Sequence, residues 1–284
     1  WDVTREHVSP RSFDHAIVYV PSADRWLDPT DGYRPANELP SSDQGRMALV
    51  PRPGGGELKR IPVTYGATRV LTSQVQMPPV GRASYRYQAE PTGWLADESR
   101  DDYWDATTQP QLDAVGKEWV ESFGAKLIGI ESSPVRDVDT PFRMTIELDR
   151  TPDGETGSFD AIYQMDLNEA FEHLPSVLVR DDSLAEREVP LQIVPFKLEE
   201  SIVVQDPRGF EPDSAPEPVD VHFGPVHYQR SIERADGVSR VEQRLDTGHG
   251  RLTPAEAEAL RSWIVRQQEV PLHWIERTER LARE

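Results

Sequence analysis

Apolar and polar residues alternate along many short stretches of the chain, which is the pattern of half-buried β-strands. The first stretch, FDHAIVYV at 13–20, is followed by the turn residues PSAD and then by the extended run RWLDPT, so we predict a β-hairpin. The other predicted strands are PVTYGATRVLTSQVQM, RASYRYQAEP, AKLIGIES, FRMTIELD, SFDAIYQMD, SVLVR, LEESIVVQ, PVDVHF, VHYQRSIERA and SRVEQRLDT. The chain is therefore expected to be rich in β-structure.

Two segments have the spacing of α-helices instead. In the first, Pro110 stands near the start and Gly124 just after the end, as expected for the first turn and the C-terminal cap of a helix. The apolar residues between them recur three and four positions apart, and they are Leu112, Val115, Trp119, Val120 and Phe123. In the second, Thr253 is the predicted N-cap, Pro254 the first helical residue and Glu256 the partner in a capping box.

The predicted elements, many strands with two main helices, indicate a β-rich α+β fold. A short amphipathic helix is expected from Leu272 onward. The glycine-rich PRPGGGE at 51–57 is interpreted as a flexible linker, which places a boundary near residue 60. We therefore predict two domains, 1–60 and 61–284.

Composition excludes several kinds of function. The chain has no cysteine, so it forms no disulfide and offers no thiolate as a metal ligand or nucleophile. Its 31 basic and 50 acidic residues give a net charge of −19, which repels nucleic acid and anionic lipid headgroups. No stretch approaches the roughly 20 apolar residues of a membrane span. The first residue is Trp1, which we interpret as the start of a processed chain or of a fragment.

The predicted hairpin brings a histidine near an aspartate. If Val20 pairs with Arg25 across the four-residue turn, the side chains of His15 and Asp28 lie diagonally across from each other on one face. The facing pairs in this register are Tyr19 with Trp26, Ile17 with Asp28 and His15 with Thr30. Periodicity alone leaves two interpretations open. His15 can be a packed strand histidine and Asp28 a turn residue that caps its own backbone, or the two can form part of a catalytic site.

Three pieces of residues 12–50 resemble the C-terminal half of the bacterial transglutaminase-like core. They are FDHAIVYV, WLDPTDGY and LPSSDQGRMALV. That family has a papain-type fold and a Cys-His-Asp catalytic triad, with the histidine in an F-D/N-H-x-I/V context on one strand and the aspartate in W-L-D-P/A-T on the next. His15 and Asp28 stand at those positions, so the resemblance implies that they are two members of the triad.

The resemblance also implies a fold and an activity. Residues 1–60 would be the C-terminal half of a transglutaminase-like core. The β-rich residues 61–284 would be the β-sandwich-like region that follows such cores in larger bacterial proteins, an expectation based on REVPLQIVPFKLEESIVV and the strand pair before LTPAEAEALRSWI. The implied reaction is acyl transfer or hydrolysis at peptide or protein amides, without a cofactor, in a periplasmic or secreted protein.

The lack of cysteine limits this expectation. In the family the nucleophilic cysteine lies upstream of the histidine, so these residues are expected to be inactive without it. Without the upstream half, residues 1–60 are expected to expose apolar surface and to be weakly ordered unless they dock on the rest of the chain. The alternative function is a non-catalytic β-sandwich module that binds partners or acts as a scaffold in the cell envelope.

Other chemical groups are interpreted as structural. His222 and His227 stand five apart around a Gly-Pro turn, but we find no third ligand with suitable spacing, so we favour structural histidines on two strands of a hairpin. His249 lies between glycines in a predicted turn. The acidic residues of RDDYWD, at 100–105, are interpreted as a solvated loop ahead of a helix. We therefore predict neither a metal nor a cofactor.

Overall fold

A computed structural model describes residues 13–276, except 31, 37, 64, 65, 123, 167, 180–187 and 268. The strands are β1 (Val18–Val20), β2 (Arg25–Leu27), β3 (Met47–Arg52), β4 (Gly55–Arg60), β5 (Ala67–Gln76), β6 (Gly81–Pro91), β7 (Lys126–Ser132), β8 (Met144–Thr156), β9 (Asp160–Asp166), β10 (Leu191–Gln192), β11 (Phe196–Gln205), β12 (Phe210–Ser214), β13 (Val219–Phe223), β14 (Val226–Ala235), β15 (Val238–Asp246), β16 (Arg251–Leu252) and β17 (Glu269–Glu276). The helices are α1 (Trp94–Tyr103), α2 (Gln109–Ser122), α3 (Asn168–Phe171), α4 (Ser176–Val179) and α5 (Pro254–Arg266).

Eleven of the described strands form one large curled sheet. Its order is β12-β17-β9-β8-β6-β5-β11-β15-β14-β13, and β7 also pairs with β8. Strands β5 and β11 are parallel, and the other neighbouring strands of this sheet are antiparallel. The predicted β-rich character with few helices is therefore confirmed.

One face of this sheet carries the main core. Leu198, Leu245 and Tyr228 lie side by side across β11, β15 and β14, and all three are fully buried. Helix α5 covers this face, because the ring of Trp263 lies 4.9 Å from that of Tyr228. The alternation of buried and exposed residues along β11 and β15 is the pattern that predicted strands in these segments.

The predictions for two helices are confirmed. Helix α2 begins at Gln109, one residue before Pro110, and Gly124 follows it with the positive φ of 81° that suits a C-terminal cap. Phe123, also part of that prediction, lies outside the described residues. At α5 the Thr253 side chain accepts a hydrogen bond from the Glu256 amide, and the Glu256 side chain accepts one from the Thr253 amide.

Helix α1 was missed by the sequence analysis, which made part of it a solvated loop. Its buried side includes Asp97 and Arg100 together with Trp94 and Leu95, so the apolar spacing of a helix is not visible. Asp97 pairs with Arg34 at 3.0 Å, while the Arg100 guanidinium donates hydrogen bonds to two backbone carbonyls. Polar partners of Asp97 and Arg100 therefore anchor α1 together with the buried Trp94 and Leu95.

Three further predictions are wrong. Residues 176–179 of SVLVR form the short helix α4, whose Leu178 amide donates to the Pro175 carbonyl, although their β-branched side chains favour a strand. Leu272 lies in strand β17, where it pairs with Tyr163, so the helix predicted from Leu272 is wrong for 272–276, while 277–284 lie outside the described residues. The predicted linker 51–57 belongs to a hairpin of β3 and β4 that turns at Gly54, which has a φ of 83°.

The N-terminal part has a small apolar cluster of its own. Among the described residues its buried members are Trp26, Leu39 and Ile61, and the main core shares none of them. The part contacts α1 through the Arg34–Asp97 ion pair and through an edge-to-face contact between Tyr33 and Trp104. The division at residue 60 stays a prediction.

Candidate functional site

The β1–β2 hairpin has the predicted register. Val20 pairs with Arg25 and Tyr19 with Trp26, and the last pair is Val18 with Leu27. The predicted facing of Ile17 with Asp28 and of His15 with Thr30 therefore falls beyond the paired positions. The prediction that His15 and Asp28 come together is confirmed, because His15 Nε2 lies 2.9 Å from Asp28 Oδ2.

The turn of this hairpin is held by side chains. A single 3-10 turn, Pro21–Ala23, leads to Asp24, which has a left-handed φ of 47°. The Asp24 carboxylate accepts a hydrogen bond from the Tyr19 hydroxyl at 2.5 Å and one from Lys59 Nζ at 3.4 Å. Lys59 belongs to β4, so the turn is tied to the second hairpin.

Thr30 fixes the carboxylate of Asp28. Its backbone amide and its hydroxyl both donate to Asp28 Oδ1, at 3.0 and 2.7 Å. The other oxygen, Oδ2, is the one that contacts His15. Asp28 is thus a turn-capping aspartate and a histidine partner at once, and the two interpretations of the sequence do not exclude each other.

Asp43 joins the pair, although the sequence analysis did not select it. Its Oδ2 lies 4.0 Å from His15 Nε2, and among the described residues no donor satisfies this buried oxygen. Asp43 lies in a turn closed by its amide, which donates to the Pro40 carbonyl. An aspartate in LPSSDQG has the sequence pattern of a solvated turn, so only its place within the resembling segment could have indicated a role.

His15, Asp28 and Asp43 shift one another's pKa values. The hydrogen bond to Asp28 raises the pKa of His15; partial burial opposes this shift, and the negative charge of Asp43 adds to it. Burial by itself would raise the pKa of Asp28, but hydrogen bonds from His15 and Thr30 outweigh it, so the pKa lies below its ordinary value. Burial, and then the charge of Asp28, raise the pKa of Asp43. The arrangement favours a protonated His15 beside an ionised Asp28.

This arrangement can support acid–base chemistry. The side chain of His15 is 39% exposed, whereas that of Asp28 is 2% exposed. A solvent-accessible imidazole that is oriented by a shielded carboxylate is the geometry of a general acid–base pair. The ligand atoms of His15, Asp28 and Asp43 also lie within 4.8 Å of one another, so the same groups could approach a cation.

The structure places the remaining candidates elsewhere. His222 and His227 face each other on β13 and β14, and Asp220 lies beside them; the inference that no third ligand is near is therefore wrong. His249 is exposed. Asp101 and Asp102 of RDDYWD lie on α1, so their interpretation as part of a loop is wrong, while Asp105 follows the helix and pairs with Arg136 at 3.4 Å.

Comparison with known proteins gives no relative. No protein family, no curated protein and no solved structure matches the chain. Within the described residues, no helix has the length and apolar character needed to cross a membrane.

Proposed function

We propose that His15 and Asp28 are the acid–base half of a transglutaminase-like site for acyl transfer or amide hydrolysis, whose cysteine nucleophile lies outside these 284 residues. The observation that carries the proposal is the 2.9 Å contact between His15 Nε2 and Asp28 Oδ2. The proposal includes the finer fold assignment, with a transglutaminase-like half-core in residues 1–60 and a β-sandwich-like region in 61–284. It also includes a bacterial, periplasmic or secreted protein that acts on peptide or protein amides.

The second ring nitrogen of His15, Nδ1, does not contact Asp28, and its availability supports the proposal. Because Asp28 takes Nε2, Nδ1 is the nitrogen that can receive the proton of a thiol. The raised pKa of His15 favours an imidazolium, whose charge stabilises an adjacent thiolate. Thr30 keeps the Asp28 carboxylate in the orientation that this role needs.

The reaction balances with these groups and an external cysteine. His15 would take the thiol proton while the thiolate sulfur bonds to the amide carbonyl carbon. The imidazolium would then give this proton to the amine as the C–N bond breaks, which leaves a thioester. Water or a second amine would attack the thioester carbon and lose a proton to His15, and that proton would return to the departing thiolate. Asp28 would stabilise the imidazolium throughout.

The experiment that tests this proposal uses the complete protein of which these residues are part. Release of ammonia from a glutamine-containing peptide, and incorporation of a primary amine into it, would be measured for the wild type, for His15→Asn and for each upstream cysteine changed to alanine. We expect His15→Asn and one cysteine variant to lose both activities, and the control His249→Asn to keep them. Full activity of His15→Asn in a folded protein would contradict the proposal.

One observation favours the alternative, a non-catalytic binding or scaffolding module. Within the described part of the chain, the eleven-stranded sheet holds most of the core and contains neither His15 nor Asp28. A complete protein without cysteine would leave the half-site without a nucleophile and would select this alternative. Loss of activity in one upstream cysteine variant would exclude it.

A further inference from the structure

Two histidines and an aspartate share one face of the β13–β14 hairpin. His222 lies directly opposite His227 in the antiparallel register, and Asp220 precedes His222 by two residues. Because alternate residues of a strand point to the same side, Asp220 and His222 lie on one face, and the facing His227 joins them. The hairpin therefore brings together three side chains that can bind a metal through nitrogen or oxygen.

The ligand atoms converge on one carboxylate oxygen. His227 Nε2 lies 2.8 Å from Asp220 Oδ1, and His222 Nε2 lies 3.8 Å from the same oxygen. The two imidazole rings are stacked, with centroids 3.8 Å apart and an angle of 18° between their planes. Both Nε2 atoms thus lie on the side of the rings that carries Asp220.

These distances agree with the size of a small divalent cation. With metal–nitrogen bonds of about 2.0–2.1 Å, neighbouring ligand atoms of a tetrahedral zinc site are about 3.3 Å apart. The two measured separations, 2.8 and 3.8 Å, lie on either side of that value. The Nε2 lone pair of each imidazole lies in its own ring plane, so the stacked rings must rotate out of their nearly parallel arrangement before both can point at one ion.

Gln229 holds the carboxylate in a suitable orientation. It pairs with Asp220 across the hairpin, and its Nε2 donates to Asp220 Oδ2 at 2.8 Å. The second oxygen, Oδ1, is thereby turned toward the histidines. Outer hydrogen bonds of this kind orient ligands in known metal sites.

We propose that Asp220, His222 and His227 bind a first-row divalent cation of the zinc class, with water in the remaining coordination positions. Two imidazoles and one carboxylate select Zn²⁺, Cu²⁺ or Ni²⁺ over Ca²⁺ and Mg²⁺, which take oxygen ligands. The net charge of −19 favours the approach of a cation. This site is separate from the His15–Asp28 pair.

Such a site has a structural consequence. In the strand order of the described sheet, β13 is the last strand, and among the strands described it pairs only with β14. Two of the three ligands, Asp220 and His222, lie on β13, and His227 lies on β14. A bound ion would therefore link the edge strand to its neighbour and oppose its separation from the sheet.

The test is titration of the whole chain with ZnCl₂, followed by calorimetry and by competition with a chromophoric chelator. We expect one equivalent to bind to the wild type. Loss of an outer partner alone costs 10–100-fold in metal affinity, so His222→Ala and His227→Ala should each weaken binding at least about 10-fold. Asp220→Asn should also weaken it. The matched controls His249→Ala and His15→Asn, at a turn histidine and at the separate pair, should bind as the wild type does.

Asp220 and His222 are exposed and His227 is half-buried, so the first two substitutions should disturb the fold little, and the fold of His227→Ala is checked directly. The far-ultraviolet circular dichroism of each variant is expected to match that of the wild type. Absence of Zn²⁺ binding by the wild type would overturn the proposal, and so would wild-type affinity in both histidine variants. Loss of the bound equivalent in His15→Asn would also overturn it, because the ion would then lie with Asp28 and Asp43.

Discussion

The imidazole of His15 and the carboxylate of Asp28 meet beyond the last paired positions of their hairpin. Strand pairing ends at Val18 and Leu27, yet the two side chains approach to 2.9 Å. The backbone hydrogen bonds between β1 and β2 therefore do not position these two side chains directly. Thr30 does so instead, because its amide and hydroxyl hold one carboxylate oxygen and leave the other for His15.

The first prediction concerns the charge of Asp28. Replacing Asp28 by asparagine removes the negative partner whose hydrogen bond raises the pKa of His15, so the pKa of His15 should fall. The measurement is an NMR titration of the His15 ring protons. Asp14→Asn is the matched control, because the charge of Asp14 makes the smallest of the contributions that raise this pKa. An unchanged His15 titration in Asp28→Asn would show that the contact is absent in solution.

The second prediction concerns the buried carboxyl of Asp43. Its pKa is raised in the folded protein, first by burial and then by the charge of Asp28, so the folded state binds the proton more tightly than the unfolded state does. Ionisation therefore destabilises the fold as the pH rises above about 4, the ordinary range of aspartate. Asp43→Asn cannot ionise and escapes this loss.

The free energy of unfolding in urea, measured from pH 3.5 to 7, checks this prediction. The stability of Asp43→Asn relative to the wild type should increase as the pH rises from the ordinary range of aspartate through the raised pKa of Asp43. Asp14→Asn, whose side chain is 80% exposed, serves as the control. A relative stability of Asp43→Asn that falls with rising pH would contradict the assignment.

The third prediction concerns the start of α5. Thr253 accepts a hydrogen bond from the Glu256 amide, and its loss in Thr253→Ala leaves that helical amide without its cap. We expect a cost of about 1 kcal/mol in the free energy of unfolding. Urea denaturation measures it. Glu258→Ala changes an exposed residue of the same helix and should cost clearly less; equal costs for the two variants would argue against the cap.

Local signals in the sequence were sufficient for several strands, such as β11 and β15, and for two helices. The alternation in β11 and β15 and the capping box at Thr253 depend on only a few neighbouring residues. They can therefore be predicted without knowing the rest of the fold. The hairpin register could be predicted for the same reason, since the turn length between Val20 and Arg25 fixes it.

Features that depend on distant partners could not be predicted. Helix α1 buries Asp97 and Arg100, and their partners are Arg34 and the carbonyls of Val135 and Thr140. Asp43 is 15 residues from Asp28 in sequence and looks like any turn aspartate. Asp220 was missed for a simpler reason. The sequence spacing considered only the two histidines, His222 and His227. The third residue, Asp220, lies two residues before His222 on the same face of β13.

The last prediction concerns the stability of the N-terminal hairpins relative to the large sheet. Among the described residues, the small cluster contains only Trp26, Leu39 and Ile61 as buried apolar members, so little apolar burial opposes its opening. We expect the amides of β1 and β2 to exchange hydrogen faster than those of β11 and β15, as measured by mass spectrometry. The contact of Arg34 with Asp97 should contribute to their protection, so Arg34→Gln should speed exchange in β1 and β2 and leave β15 unchanged. Arg52→Gln, at an exposed ion pair with Glu57, is the control. Equal protection of β1 and β15 in the wild type would mean that the N-terminal part unfolds together with the sheet.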